Sequence, residues 1–131
     1  MTLEEFRHWL LPRDGVVSAY VVESSSGAIT DFCSFYPLPS SCVKHPTHSH
    51  IYAAYSYYNV ATSRTLANLM GDCLCMAKKV GQDVFNALNV MENDEFMHDL
   101  NFGMGDGNLN YYLFNWNAER VEHNEIGLVL L

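Results

Sequence analysis

Ile51-Tyr52-Ala53-Ala54-Tyr55-Ser56-Tyr57-Tyr58-Asn59-Val60 is followed, after a short polar stretch, by the run Leu66 to Val80 and then by Asp83-Val84-Phe85-Asn86-Ala87-Leu88-Asn89-Val90. The first segment is rich in aromatic and branched residues, with tyrosines at 52, 55, 57 and 58, and reads as a strand. The second places Leu66, Leu69, Met70, Cys73, Leu74, Met76, Ala77 and Val80 on a broad apolar stripe of helical period. Lys78 and Lys79 fall in its last turn, where a cation meets the helix dipole favourably, and Gly81 stops it. The third reads as a buried strand.

Working outward, Thr2 and Glu5 have the spacing of a capping box, and Phe6, Trp9 and Leu10 continue as the apolar face of a short helix. Pro12 ends it. Asp14-Gly15 makes a turn into a strand over residues 16–22, and Ser24-Ser25-Ser26-Gly27 turns the chain back into a second strand over 29–35. Pro37 and Pro39 break that strand and impose an extended stretch into Ser40-Ser41. Beyond residue 90, Asn93-Asp94 is expected to cap a short helix over 95–100, and Gly103-Met104-Gly105-Asp106-Gly107 is a glycine-rich loop. Residues 109–116 and 126–131 read as closing strands. The order of elements predicts one mixed α+β sheet domain. Chain ends are usually polar and frayed, whereas this one reads Gly127-Leu128-Val129-Leu130-Leu131. Its terminal carboxylate is therefore expected in or beside the core.

Composition narrows the functional classes. Hydrophobic residues make up 49% of 131, ample for a core, and charged residues only 17%, against roughly 25% in an average soluble domain. Part of the surface is thus expected to be apolar. Seven Lys+Arg against fifteen Asp+Glu give a net charge of −8, which repels nucleic acid and attracts basic peptides. Neither a membrane-spanning run nor a secretory signal is present in the sequence, and a cytoplasmic protein is expected. Cys33, Cys42, Cys73 and Cys75 lack a secreted-type framework, and Cys73 and Cys75, two apart on a helix, point in different directions.

Each chemical motif has a plainer alternative. The loop Phe102-Gly103-Met104-Gly105-Asp106-Gly107 matches neither nucleotide-binding pattern; it is either a bare turn or a place where a ligand backbone approaches closely, with Asp106 as the charged group on offer. His45, His48 and His50 invite a metal reading, yet no Cys or carboxylate lies near them in sequence, and no metal site is expected. The tyrosine strand is core or ligand platform. The acidic stretch 92–99 is a solvated helix face. Nothing resembles a nucleophile elbow.

Several segments together resemble the C-terminal part of eukaryotic glycylpeptide N-myristoyltransferases. They are Thr30-Asp31-Phe32-Cys33-Ser34-Phe35-Tyr36 with Leu38-Pro39-Ser40, His45-Pro46-Thr47-His48, and Ala53-Ala54-Tyr55-Ser56-Tyr57-Tyr58-Asn59-Val60. Further on come Asp83-Val84-Phe85-Asn86-Ala87-Leu88 with Met91-Glu92-Asn93, then Phe102 to Leu109 with Tyr111-Tyr112-Leu113, and finally Gly127-Leu128-Val129-Leu130. The match runs nearly the whole chain in order. It departs at Asn101, where the family's glycine-rich signature usually opens with Lys.

The resemblance implies an acetyltransferase-like (GNAT-like) α/β domain, with a largely antiparallel mixed sheet flanked by helices. It makes residues 1–131 the peptide-binding C-terminal half of a longer enzyme whose N-terminal, acyl-CoA-binding half is absent from this chain. It also implies transfer of a myristoyl group from myristoyl-CoA to the α-amino group of an N-terminal glycine, with Ser40, Tyr55, Asn86, Asp106, Gly107, Leu109 and Leu130 lining the peptide groove. The α-carboxylate of Leu131 would act as general base. The implied partners are N-terminal-glycine peptides or proteins and the N-terminal half. Alone, the chain is expected to be inactive and to self-associate through its uncovered face. The alternative from a different class is a non-catalytic peptide-binding or protein-interaction domain.

Overall fold

The computed structural model describes residues 1–129. The expectations for Leu130 and Leu131 lie outside the described residues. The helix α1 (Leu3–Leu10) opens with the predicted capping box: the Glu5 amide donates to Thr2 Oγ1 at 3.2 Å, and the Thr2 amide donates to Glu5 Oε2 at 2.6 Å. Four strands form the main sheet, β1 (Ser18–Glu23), β2 (Ile29–Pro37), β5 (Ala53–Val60) and β6 (Val84–Asn86), in that spatial order. Between β2 and β5, β3 (Ser40–Ser41) pairs with β4 (His50–Ile51) as a separate two-stranded ribbon. The pairs β1·β2 and β2·β5 are antiparallel, and β5·β6 is parallel. A parallel pair requires a crossover, and α2 (Leu66–Lys79) supplies it.

That helix forms for the reasons its sequence suggests. Thr65 caps its N-terminus by accepting the Asn68 amide at 3.2 Å. At the other end Gly81, with φ of +87°, donates to the Lys78 carbonyl, and the Gln82 amide reaches back to that of Ala77. Only a residue without Cβ adopts this left-handed turn at no cost. Leu69, Met70, Cys73 and Ala77 are buried against Cys33 and Phe35 of β2, Ala54 of β5, and Phe96 of the short helix α3 (Asp94–Met97). Cys75 is exposed while Cys73 is buried, so the two thiols do diverge. A second cluster on the opposite side joins Leu10, Val17, Tyr57, Val90 and Val129.

The sheet carries one irregularity with later consequences. Cys33 faces Asn59 and Phe35 faces Ser56, so the single residue Ser34 opposes both Tyr57 and Tyr58. Such a bulge breaks the ladder and leaves polar backbone unpaired. Ser34 repairs it: its buried hydroxyl donates to the Tyr58 carbonyl at 2.8 Å and accepts the Tyr58 amide at 3.1 Å.

Four local expectations are corrected. The strand expected over 83–90 shrinks to β6, because only residues 84–86 find a partner on β5. Residues 109–116 form no strand, since no strand among the described residues pairs with them. Residues 126–129 likewise run as irregular chain. Asn93 stands before α3 without capping it; its side-chain amide donates instead to the Leu88 carbonyl at 2.8 Å.

Candidate functional site

Parallel pairing sets the core of the candidate site, placing Asn86 directly across from Tyr55. Tyr55 is half-buried and stacks on Tyr36, its partner across the antiparallel pair, with ring centroids 5.5 Å apart and planes 18° apart. Asn86 lines a cleft of about 440 Å³ together with Phe85, Leu100, Phe102, Gly103 and Gly105. Phe102 packs edge-on against Phe96 and Phe85, which fixes the root of the glycine loop. The structure thus joins two segments that the sequence singled out separately, the Asn86 strand and the loop.

The loop's glycines are not required by the chain's own folding. Gly103, Gly105 and Gly107 lack the left-handed φ of Gly15, Gly27 and Gly81, and a Cβ on any of them would meet nothing within 4 Å. Asp106, Gly107 and Leu109 follow on exposed, irregular backbone. Ser40 sits elsewhere, exposed on β3 opposite Ile51. Ile51 precedes Tyr55 by four residues, roughly 13 Å at about 3.3 Å per residue. Leu130 and Leu131 lie outside the described residues.

Sequence reading missed a cluster of phenols that continues from Tyr36, the ring on which Tyr55 stacks. Tyr36 lies edge-on to Tyr57 at 5.9 Å, and Tyr57 is tilted against Tyr58 at 4.5 Å. Burial and the neighbouring Tyr55 and Tyr111 push the Tyr36 hydroxyl's pKa up; burial, Tyr58 and Tyr36 do the same for Tyr57, and burial and Tyr58 for Tyr111. These phenols therefore stay protonated at neutral pH and serve as hydrogen-bonding groups. The density of tyrosine in the sequence was the available signal, but spacing does not reveal which rings converge.

Other candidates resolve simply. His45 accepts the His48 amide at 3.0 Å and the Thr47 amide at 3.3 Å on Nδ1, so its ring fastens its own turn. Among the described residues, no group of three or more His, Cys, Asp or Glu side chains comes together. Asp31 is the one fully buried carboxylate among them, and it takes donors from Thr30, Thr62 and Ser63. Burial would push its carboxyl up; the Ser63 and Thr30 hydroxyls and the Ser63 and Thr62 amides outweigh it and hold the group well below the usual carboxylate range. It ties β2 to the turn before α2, which is a structural role.

Comparison with known proteins shows the family and the fold. The sequence model of the family described as myristoyl-CoA:protein N-myristoyltransferase, C-terminal domain, matches residues 1–129. A glycylpeptide N-tetradecanoyltransferase 2 of Bos taurus is 52% identical over 130 residues, covering 99% of this chain and 26% of the relative. A probable glycylpeptide N-tetradecanoyltransferase of Caenorhabditis elegans is 53% identical over 127 residues, 97% of this chain and 28% of the relative. The chain thus spans about a quarter of the length of the curated relatives it matches. Among solved structures, Saccharomyces cerevisiae N-myristoyltransferase with bound myristoyl-CoA superposes with a TM-score of 0.83 at 35% identity, over 90% of this chain and 32% of that one. A ribosomal-protein-alanine N-acetyltransferase from Brucella melitensis biovar Abortus 2308 matches at TM-score 0.53 and 16% identity, over 86% of this chain and 88% of that one. That likeness is one of fold, the acetyltransferase-like architecture.

Proposed function

We propose, from the premise that this chain belongs to the family of the myristoyl-CoA:protein N-myristoyltransferase C-terminal domain, that it forms the peptide-holding part of an enzyme acylating N-terminal glycines. The observation that carries this reading is the cleft where Asn86 meets a loop whose glycines leave open space. Glycines that neither backbone strain nor packing demands suit a site that another backbone must approach. Asp106 offers an incoming basic side chain a carboxylate, and the chain's net charge of −8 draws such peptides in. Tyr55, Gly107, Leu109, Ser40 and Leu130 complete the proposed groove.

The chemistry is aminolysis of a thioester: the amine nitrogen bonds to the acyl carbonyl carbon, the carbon–sulfur bond breaks, and CoA leaves as thiol. The glycine amine arrives as an ammonium with pKa near 8, so a base must accept its proton before attack. We assign that base to the α-carboxylate of Leu131, with a reference pKa near 3.5 that a dry groove would raise. Myristoyl-CoA is the co-substrate. Seven Lys+Arg against fifteen carboxylates make this domain a poor host for CoA phosphates, so we place that site mainly in the part of the enzyme outside this chain.

The same reading accounts for the uncovered surface. Leu3, Phe6 and Trp9 leave the apolar face of α1 exposed, and Tyr112, Phe114 and Trp116 are 86%, 92% and 74% exposed. We propose that the remaining polypeptide, about three quarters of a relative's length, packs there. No described helix is long and apolar enough to cross a membrane, and the four cysteines are free, which suits the reducing cytoplasm we assign.

The test combines this chain with the N-terminal portion of the Bos taurus relative, a glycine peptide and myristoyl-CoA. Acylated peptide from the assembled pair, and none from this chain alone, is expected. Peptide binding to the assembled pair without acylation, where the intact relative acylates, would instead support the non-catalytic peptide-binding module.

A further inference from the structure

Two phenols grip a single peptide unit near the end of the described chain. Tyr111 Oη donates to the Leu128 carbonyl at 2.8 Å, and the Val129 amide donates to Tyr58 Oη at 3.2 Å. Leu128 C=O and Val129 N–H belong to the same peptide plane, so one rigid unit is held from both sides. The bulge opposite Ser34 makes this possible. Regular alternation would send Tyr57 and Tyr58 to opposite faces of the sheet. With two residues set against one, both rings pack with the cluster that contains Val129. The Ser34 hydroxyl closes the broken ladder at Tyr58 itself, so the residue that grips the Leu128–Val129 peptide has both its own amide and its own carbonyl held.

We infer that Tyr58 and Tyr111 are positioning residues that aim the end of the chain, fixing the peptide plane two residues ahead of Leu131. The inference rests on the reading of the Leu131 α-carboxylate as proton acceptor. A plane held by one donor and one acceptor resists flipping, so the torsions from Val129 onward are what remain to place the carboxylate. Burial and the adjacent Tyr58 keep the Tyr111 phenol protonated, so its donor role persists at neutral and mildly basic pH. General-base catalysis depends steeply on such placement, since small displacements of a reacting group cost large factors in rate.

The test is a cycle in an enzyme of full family length carrying this domain. Tyr58→Phe and Tyr111→Phe keep the rings and remove one hydrogen bond each. Each should lower kcat roughly fivefold to tenfold, with KM for the glycine peptide held within about twofold. The same substitutions are then made in an enzyme extended by several residues after Leu131. If the tyrosines act through the carboxylate, the extension alone collapses kcat and neither substitution lowers it further. Equal losses in both backgrounds would reveal a merely structural role and overturn the inference. So would a collapse on extension with no loss from either substitution, which leaves the base assignment standing. An extension without effect sinks the base assignment, and the inference with it. Independently, amide exchange at Val129 in this 131-residue chain should rise about tenfold in Tyr58→Phe while the amides of β5 hold; unchanged exchange would contradict the grip itself.

Discussion

Ser63 meets Asp31 twice, through its amide at 3.0 Å and through its hydroxyl, although 32 residues separate them in sequence. The contact fastens the centre of the sheet to the turn that launches α2. Because these donors hold the Asp31 carboxyl well below its ordinary range, folding favours the ionised form. The sign follows directly. The stabilisation is fully present above the unfolded-state pKa, about 3.9, and is lost progressively as pH falls below it toward the depressed folded value. Asp31→Asn should therefore lower the melting temperature at pH 7, and its melting temperature should fall less than the parent's between pH 5 and pH 3. Thermal melts of both chains at these pH values check this; parallel curves would remove Asp31 from the account.

The glycine loop separates binding from folding. Gly105 has an ordinary φ and open space where a side chain would stand, so Gly105→Val should change stability by no more than about 0.5 kcal/mol. In the assembled enzyme the same change should weaken glycine-peptide binding by about tenfold, or roughly 1.4 kcal/mol, because the added side chain occupies the approach to the Asn86 cleft. Calorimetry and peptide titration decide it. Unaltered affinity would make the loop a bare turn.

Asp106 is exposed, and an ion pair formed there is worth only about 0.2–1 kcal/mol. Asp106→Asn in the full-length enzyme should raise KM for lysine-containing peptides by up to about fivefold and leave neutral peptides nearly unchanged. The difference should shrink with added salt. Equal shifts for both peptides would show that Asp106 does not read charge.

The exposed aromatic stretch should make this chain self-associate. Sedimentation velocity should show association that grows with concentration and that fades in a triple Tyr112→Ser, Phe114→Ser, Trp116→Ser variant. The substitutions touch no described core, so the melting temperature should hold. A monomer at high concentration before any substitution would refute the expectation.

Not every segment was equally readable before folding. The Thr2–Glu5 capping box, the α2 stripe with its Gly81 stop, and the two antiparallel strands were legible because their determinants lie within a few residues of one another. Residues 109–116 were misread for an instructive reason. A run rich in Leu, Tyr, Phe and Trp has the composition of a strand, but a strand exists only when another edge completes its hydrogen bonds. Among the described residues that edge is missing. The site was legible in part: the glycine loop and the tyrosine strand stood out, and the resemblance named Asn86 beside them.

By itself, then, the sequence determined α1 and α2 with their caps and stops, the presence of β1, β2 and β5, and the family, since all of these are carried by local spacing or by residue identity. Only the tertiary structure decided that Asn86 lies across from Tyr55, that Ser34 opposes two tyrosines, and that the Leu128–Val129 peptide sits between Tyr58 and Tyr111. Tyr58 and Val129 are 71 residues apart, and no local preference of either encodes the other. Their meeting follows from the register of the sheet, the bulge that turns both tyrosines to one face, and the burial of Val129 against them, which become defined only when the whole domain closes.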